Sequence, residues 1–334
     1  MEPNLGLVYV GKIIAMEAIE GADFIVCATV VCGKGGKWKG VVRKSEFNIE
    51  DLCVVFLPDS QLDPEIHSYL PFMKDTAWRV KMRRFKGSPS EVVIVNLLAA
   101  VTEFKENQDL PLGKDITDRM QVIKYHKPVP AHLQGKAKGE FPGFIPKTDE
   151  PNYQNLEGQL GIEKLIGKPY YITEKADGSS TTAYKYKGQF GLCSRNWELE
   201  RDENNGYWKV AIQHKLEETL PEGYALQWET CGPKIQGNPH GFTEITGLAF
   251  SAYNIQEKRY LNMREFEQFC IDLYFPKVNW INWGPSFSSQ GIETLGEGTY
   301  KNGKQREGVV VRSIYNELGH KPISFKVINL NYEK

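Results

Sequence analysis

The residues most suited to chemistry lie together in Glu174-Lys175-Ala176-Asp177-Gly178-Ser179. A deprotonated lysine amine can attack the α-phosphate of a nucleoside triphosphate and hold the nucleotide as a phosphoramidate. An ordinary lysine has a pKa near ~10.4 and is almost wholly protonated at neutral pH. A site that uses it as a nucleophile is expected to depress that pKa with neighbouring positive charge, metal or desolvation. The plain alternative is a hairpin, because Asp-Gly is a common turn pair and strand-like sequence flanks it.

Four further segments add groups of the kind such a site needs. Ser194-Arg195-Asn196 would follow the hairpin made by the Asp-Gly turn, and Arg195 there can hold a ribose or a phosphate. In Leu226-Gln227-Trp228-Glu229-Thr230-Cys231-Gly232-Pro233 the acidic Glu229 ends an apolar strand before a glycine turn. Alternation in Phe250-Ser251-Ala252-Tyr253-Asn254-Ile255 sets Phe250 and Ala252 on one strand face. Glu307-Gly308-Val309-Val310-Val311-Arg312 opens a buried strand with an acid and a glycine, and Ser324-Phe325-Lys326 follows. Each has an ordinary structural explanation by itself: an exposed arginine, a strand end, a packed core strand.

The elements that must position these groups fall into two parts. At 334 residues the chain is long enough for two domains of roughly 150 residues each. Residues 6–120 are rich in β-branched runs separated by Gly, Pro, Asn and Asp, notably Leu7–Val10, Phe24–Val31, Cys53–Leu57 and Val92–Leu97. They predict a small barrel of five or so strands, of which an OB-fold is the expected type. Residues 121–146 read as a basic linker punctuated by Pro and Gly, with Lys124, His126, Lys127, Pro128, Pro130, Lys136, Lys138 and Pro142. From 147 to 334 helical and strand patterns alternate. The predicted helices are Trp208–Leu220 and Met263–Leu273. The predicted strands are Tyr170–Thr173, Thr182–Tyr186, Tyr224–Trp228, Gly247–Ile255, Gly308–Arg312 and Ile323–Val327. The fold class expected is thus a β-barrel followed by an α+β domain.

Composition sets the outer limits. With 41% hydrophobic and 25% charged residues the chain is ordinary for a globular protein. A net charge of −1 means that any affinity for nucleic acid must come from local patches. Two stretches mix cations with aromatics: Lys34 to Lys39 with Arg43 and Lys44, and Trp78 to Lys86, which contains Lys81, Arg83, Arg84 and Lys86. Such mixtures can hold a phosphate backbone and stack bases, or can be solvated strand faces. No P-loop spacing occurs. The six cysteines are scattered without a CxxC pair, so free thiols are expected rather than a zinc site. No apolar run is long enough for a membrane span and no signal peptide is evident, so an intracellular protein, cytoplasmic or nuclear, is expected. A monomer is the default.

Taken in order, Lys175, Arg195, Glu229, Phe250, Glu307 and Lys326 resemble motifs I, Ia, III, IIIa, IV and V of the covalent nucleotidyltransferases, the superfamily of ATP-dependent ligases and capping enzymes. The resemblance spans residues 147–327 and implies a ligase-type adenylyltransferase domain, ATP-grasp-like in architecture. DNA ligases and capping enzymes carry an OB domain after motif V, whereas this chain runs only eight residues past Lys326. The β-rich module precedes the lysine instead, an order similar to the RNA ligase 5 family. Further matches to that family are Ile19–Asp23, Val42–Phe47, Ile145–Pro151 and Gly232–Asn238. There are two departures. Ser324 stands at the first lysine of motif V, and Asn152 stands where an arginine is usual.

The resemblance implies an ATP-dependent RNA ligase that joins an RNA 3′-OH end to a 5′-phosphate end at nicks, through AMP carried on Lys175. It implies Asp177, Glu229 and Glu307 as ligands of Mg²⁺ or Mn²⁺, directly or through water. Lys326 would neutralise phosphate charge, Phe250 would stack on adenine, Glu174 would accept from the adenine amino group, and Arg195 would contact ribose or phosphate. Two other readings stay open. One is a DNA ligase or guanylyltransferase, the other an OB-type nucleic-acid-binding protein with a decayed transferase domain. The full set Lys175, Asp177, Glu229, Glu307 and Lys326 speaks against decay.

Overall fold

The structure, a computed structural model, describes residues 6–333 except Lys34 and residues 98–99, 101–109, 126–135 and 157–160. The N-terminal residues 1–5, Lys34, His126, Lys127, Pro128 and Pro130 therefore lie outside the described residues. The chain divides into two compact units. One comprises Met1–Pro128 with Gln154–Leu160, the other Val129–Tyr153 with Gly161–Lys334.

The first unit contains β1 (Val8–Ala18), β2 (Ile25–Cys32), β3 (Gly36–Arg43), β4 (Leu52–Phe56), β5 (Ser60–Gln61), β6 (Arg83–Phe85), β7 (Ser88–Ser90), β8 (Val93–Asn96) and β9 (Ile123–Lys124). Five of them form an antiparallel sheet in the order β3-β2-β1-β4-β8. Successive side chains point to opposite faces, so Val54 and Phe56 join Val8, Val10 and Leu62 in one core. Cys53 and Val55 join Ile13, Val30 and Ile94 in another. The sheet curls into a half-barrel. Its outer strands approach where the Glu91 N–H donates to the Lys39 carbonyl at 2.7 Å. At Gly40 an added Cβ would lie 2.6 Å from Ile94 Cδ1.

Strand β3 occupies the first of the two stretches read above either as a mixture that binds phosphates and bases or as a solvated strand face. Its alternation puts Lys37 outward and Trp38 into the core at 2% exposure, so this aromatic is not free to stack on a base. Part of the stretch read as a linker is also structured: Ile123–Lys124 and Ala137–Glu140 are strands.

The second unit holds β10 (Ala137–Glu140), β11 (Tyr170–Glu174), β12 (Ser179–Tyr186), β13 (Gln189–Ser194), β14 (Trp197–Leu199), β15 (Tyr224–Cys231), β16 (Thr246–Asn254), β17 (Arg259–Tyr260), β18 (Trp280–Gly284), β19 (Gly308–Ser313) and β20 (Ser324–Ile328). They build a seven-stranded sheet, β10-β14-β13-β12-β15-β16-β17, and a four-stranded sheet, β18-β11-β19-β20. All pairings within them are antiparallel. Sheet dominates and helices are few.

Helices Gly206–Gln213 and Met263–Asp272 contribute Trp208, Val210, Phe266 and Cys270 to a core with Leu226, Trp228 and Ala249 of the large sheet. The second starts at Asn262, whose side chain accepts from the N–H groups of Arg264 and Glu265, while Glu265 closes a capping box. The single helix expected over Trp208–Leu220 is instead two. Lys215 takes a left-handed φ of 50° and separates Gly206–Gln213 from Leu216–Thr219. All six cysteines are buried and unpaired. Among the described residues no helix is long and apolar enough to cross a membrane.

Candidate active site

Strands β11 and β19 are neighbours with Glu174 opposite Val309, so the residues just beyond their ends meet. Lys175 N–H donates to the Gly308 carbonyl at 3.0 Å. Its Nζ reaches Glu307 Oε2 at 2.7 Å. On the far side of β19, Lys326 of β20 lies opposite Val310. The small sheet thus delivers Lys175, Glu307 and Lys326 by register alone.

The segment Lys175–Gly178 is not a hairpin, contrary to the turn considered above. It carries the chain from β11 in the small sheet to β12 in the large one. Gly178 does not take the positive φ of a hairpin turn; the β12–β13 turn is made by Lys187 and Gly188, at φ 54° and 73°. What Gly178 provides is close approach. A Cβ there would lie 2.3 Å from the Thr230 carbonyl oxygen and 3.0 Å from Glu229 Cγ. The crossing is thereby pressed against β15, which brings Glu229 to the lysine.

Three carboxylates act on one ammonium. Burial pulls the Lys175 pKa down, but Glu307, Glu229 and Asp177 together push it above the ordinary lysine value. The expected depression is therefore reversed, because the neighbours of Lys175 are anions. Glu229 gives way among these like charges. Burial raises it, Lys175 lowers it, Glu307 and Asp177 raise it again, and it stands at about 8. Lys326 is shifted below the usual lysine range by burial and by Lys175, against the pull of Asp149 and Glu307.

Asp177 is held on three sides. Its N–H donates to His240 Nε2 at 3.2 Å, and its Oδ2 accepts from the Tyr332 hydroxyl at 2.6 Å. Its carbonyl faces the buried Cys231 thiol. His240 stacks on Phe242 and lies with its ring centroid 4.0 Å from that of Tyr300. The Tyr300 hydroxyl donates to the Lys175 carbonyl at 3.0 Å and accepts from the Glu307 N–H at 3.1 Å. His240, Tyr300 and Tyr332 were not singled out from sequence. The first two act through backbone groups, which leave no side-chain pattern to read.

Glu174 is buried and accepts from Asn279 Nδ2 at 2.7 Å, which fixes one carboxylate oxygen. Phe250 is half-buried and packs on the cluster of Ala176, Cys231 and Val278, next to the lysine. Arg195 is exposed and pairs with Asp149. Residues 146–152 run as a strap fastened at successive positions. Pro146 accepts from Gln227 Nε2 at 3.0 Å, and Thr148 shares a hydrogen bond with Ser180 at 2.7 Å. Glu150 pairs with the buried Arg312 at 2.8 Å, and Pro151 accepts from the Lys326 N–H at 2.8 Å. Asn152 bridges to Lys326. The two departures from the family pattern, Asn152 and Ser324, flank Lys326, and Asn152 Oδ1 and Ser324 Oγ are buried without a hydrogen-bond partner among the described residues.

Among the described residues no three His, Cys, Asp or Glu side chains close on one point as metal ligands. The donor set Asp177, Glu229 and Glu307 is all hard oxygen, which suits a hydrated Mg²⁺ or Mn²⁺ that keeps much of its water shell.

In the first unit, β6 and β7 form a hairpin that turns at Lys86 and Gly87, at φ 49° and 81°. Lys81 is exposed beside it. Arg83 lies 3.8 Å from Asp75 and over the Phe85 ring at 5.5 Å. Arg84 donates to the Gly87 carbonyl and Lys86 to the Gly21 carbonyl. The four cations named from sequence are thus grouped on and beside one hairpin.

Residues 168–328 match the family model described as RNA ligase. Several solved structures of the Naegleria gruberi RNA ligase are similar over nearly the whole chain. An apo form with one substitution aligns at 28% identity and a TM-score of 0.78, covering 98% of this chain and 97% of that one. A second substituted form, solved with ATP and Mn, aligns at 28% identity and 0.77, covering 97% of each chain. A third, with AMP and Mn, aligns at 28% identity and 0.78, again covering 97% of each. Comparison with curated proteins gave no match. The fold is that of an RNA ligase nucleotidyltransferase, and the chain is an enzyme that forms phosphodiester bonds.

Proposed function

We propose that this phosphodiester-forming enzyme is an ATP-dependent RNA ligase that seals nicks, joining an RNA 3′-OH end to a 5′-phosphate end. The observation that carries the reading is the 2.7 Å contact of Lys175 with Glu307, inside the segment that matches RNA ligases. The Naegleria structures with ATP and Mn, and with AMP and Mn, support the nucleotide and the metal.

In the first step the neutral Lys175 amine attacks the α-phosphate. An N–P bond forms, the bond to the β-phosphate oxygen breaks, and pyrophosphate leaves. Lys326 faces the developing phosphate charge. Glu307, 2.7 Å from Nζ, is placed to take the proton that the amine must lose. Mg²⁺ or Mn²⁺, when held by Asp177, Glu229 and Glu307 through water, would draw off the negative charge that keeps Lys175 protonated. Phe250 and Glu174 seat the adenine, with Asn279 orienting Glu174.

In the second step a 5′-phosphate oxygen attacks the α-phosphorus, the N–P bond breaks and the Lys175 amine leaves, giving a 5′–5′ pyrophosphate. In the third a 3′-OH attacks the 5′-phosphorus, the phosphodiester forms, and AMP leaves with the electron pair of the broken P–O bond. The first unit serves as the duplex-binding module. The curled sheet with strand order β3-β2-β1-β4-β8 and β3 and β8 approaching supports reading this unit as an OB-type barrel. Lys81, Arg83, Arg84 and Lys86 supply its phosphate contacts.

The test is sealing of a nicked duplex whose 3′-OH strand ends in RNA or in DNA. Faster sealing of the RNA end is expected, with a steep loss as salt rises, while lysine labelling by ATP falls far less. Equal sealing of both ends would overturn the RNA assignment. An equal salt response of the two steps would overturn the role given to the first unit.

A further inference from the structure

Strands β19 and β20 are in register with Gly308 opposite Ile328, so Glu307, just before β19, meets Asn329, just after β20. The Asn329 N–H donates to the Glu307 carbonyl at 2.9 Å. Its side-chain amide donates to the Arg306 carbonyl at 2.8 Å and to Gln305 Oε1 at 3.0 Å. Its Oδ1 accepts from the Asn331 N–H, the pattern of an Asx turn, and its carbonyl accepts from the Tyr332 N–H. Asn329 is buried, which shields these bonds from solvent. The turn ends on the Tyr332 hydroxyl, which donates to Asp177 Oδ2 at 2.6 Å, the length of a charge-assisted bond.

One short turn therefore runs from the backbone of Glu307 to the carboxylate of Asp177. Two carboxylates that share a cation repel one another when it is absent, so their separation needs a restraint. Lys175 restrains Glu307 by an ion pair, but that ammonium must lose its charge before the amine can attack. The phenol and the amide are neutral donors and are unchanged by that step. They hold the carboxylates without adding a positive charge that would repel a cation.

We propose that the turn Asn329–Tyr332 sets the separation of Asp177 and Glu307 and so fixes how tightly they hold a divalent cation, with Tyr332 as the positioning residue. The proposal rests on the assignment of both carboxylates to the metal in the ligase reading, and deepens it. Outer hydrogen-bond partners of metal-binding groups are worth roughly 10- to 100-fold in affinity.

The test is Tyr332→Phe in the full chain, which keeps the ring and deletes the bond. Two readouts are followed as Mn²⁺ is titrated: the rise in melting temperature without nucleotide, and labelling of the protein by α-labelled ATP. The Mn²⁺ midpoint should rise about 10-fold in both, while labelling at saturating Mn²⁺ stays close to that of the unsubstituted chain. Asn329→Ala, which cuts the turn from Gln305 and Arg306, should move the midpoint the same way. In an Asp177→Asn background Tyr332→Phe should shift it no further, because the two residues act as one unit. An unchanged or lower midpoint for Tyr332→Phe would overturn the proposal. So would a lower melting temperature of the metal-free chain with the Mn²⁺ midpoint unmoved, the mark of a merely structural bond. Labelling by a wild-type chain whose melting ignores Mn²⁺ would also overturn it. A chain that shows the melting shifts but never takes label would overturn the ligase reading instead, with the role of Tyr332 still measured.

Discussion

Lys175 and Glu307 are joined twice. Their side chains meet at 2.7 Å, and their backbones are bridged by the Tyr300 hydroxyl, which donates to the Lys175 carbonyl and accepts from the Glu307 N–H. The register of β11 and β19 brings the two residues near one another, and the phenol fixes how they face. Tyr300→Phe removes both bonds without changing the ring that packs on His240. A buried group left unpaired costs roughly 1–3 kcal/mol. Single-turnover labelling of the lysine should slow by about 10- to 100-fold, with the apparent affinity for ATP little altered. An equal change in both would show that the phenol acts on binding rather than on alignment.

Glu229 makes stability depend on pH. Its carboxyl is raised from 4.5 to about 8 in the folded chain, mainly by burial. Between those values the folded chain holds a proton that the unfolded chain has released, so the folded state loses relative stability as pH rises through the window. The melting temperature of the metal-free protein should fall from pH 5 to pH 8, and Glu229→Gln should flatten that slope. A divalent cation should offset the fall at the upper end, where the carboxylate is charged.

His240 accepts the Asp177 N–H through Nε2, which requires that nitrogen to be unprotonated. Burial lowers its pKa below 6.5, so the bond survives into mildly acidic solution and is lost below that. Lysine labelling should carry an acidic limb from this residue. His240→Gln, which can offer an amide oxygen to the same N–H, should remove the limb. His240→Ala should lower the rate at every pH.

Gly178 has no room for a methyl group. The Thr230 carbonyl would lie 2.3 Å from it, and that oxygen belongs to backbone that cannot rotate aside. Gly178→Ala must push Lys175–Gly178 away from β15. Overpacking of this kind costs roughly 1–3 kcal/mol. A lower melting temperature is expected, together with loss of labelling larger than stability alone explains, because Glu229 recedes from the lysine.

Much of the second unit was legible because its strands are compact β-branched or aromatic runs. The expected Gly308–Arg312 is one residue shorter than the observed Gly308–Ser313, and the expected Ile323–Val327 is offset by one residue from the observed Ser324–Ile328. Strand β3 was legible only as one of two alternatives: Lys37-Trp38-Lys39-Gly40 alternates as a strand face does, but the same cations and aromatic also fitted a base-stacking patch until Trp38 was seen to point into the core. The break at Lys215 carries no Gly or Pro to mark it. The Asp177-Gly178 pair misled for a physical reason. A glycine can be required by a positive φ or by a close neighbour, and sequence does not distinguish the two. The lysine, its carboxylates and Lys326 could be named from residue type and order. Tyr300, His240 and Tyr332 could not, since each acts across more than 60 positions on the lysine crossing, 125, 63 and 155 residues away.

The covalent role of Lys175 is most directly tested by incubating the protein with α-labelled ATP and a divalent cation, with pyrophosphate removed and prior adenylylation excluded. The expected result is label retained on the protein, labile to acid, stable to base, and absent from Lys175→Ala. A wild-type chain that takes no label, or a Lys175→Ala chain that takes as much as the wild type, would contradict it.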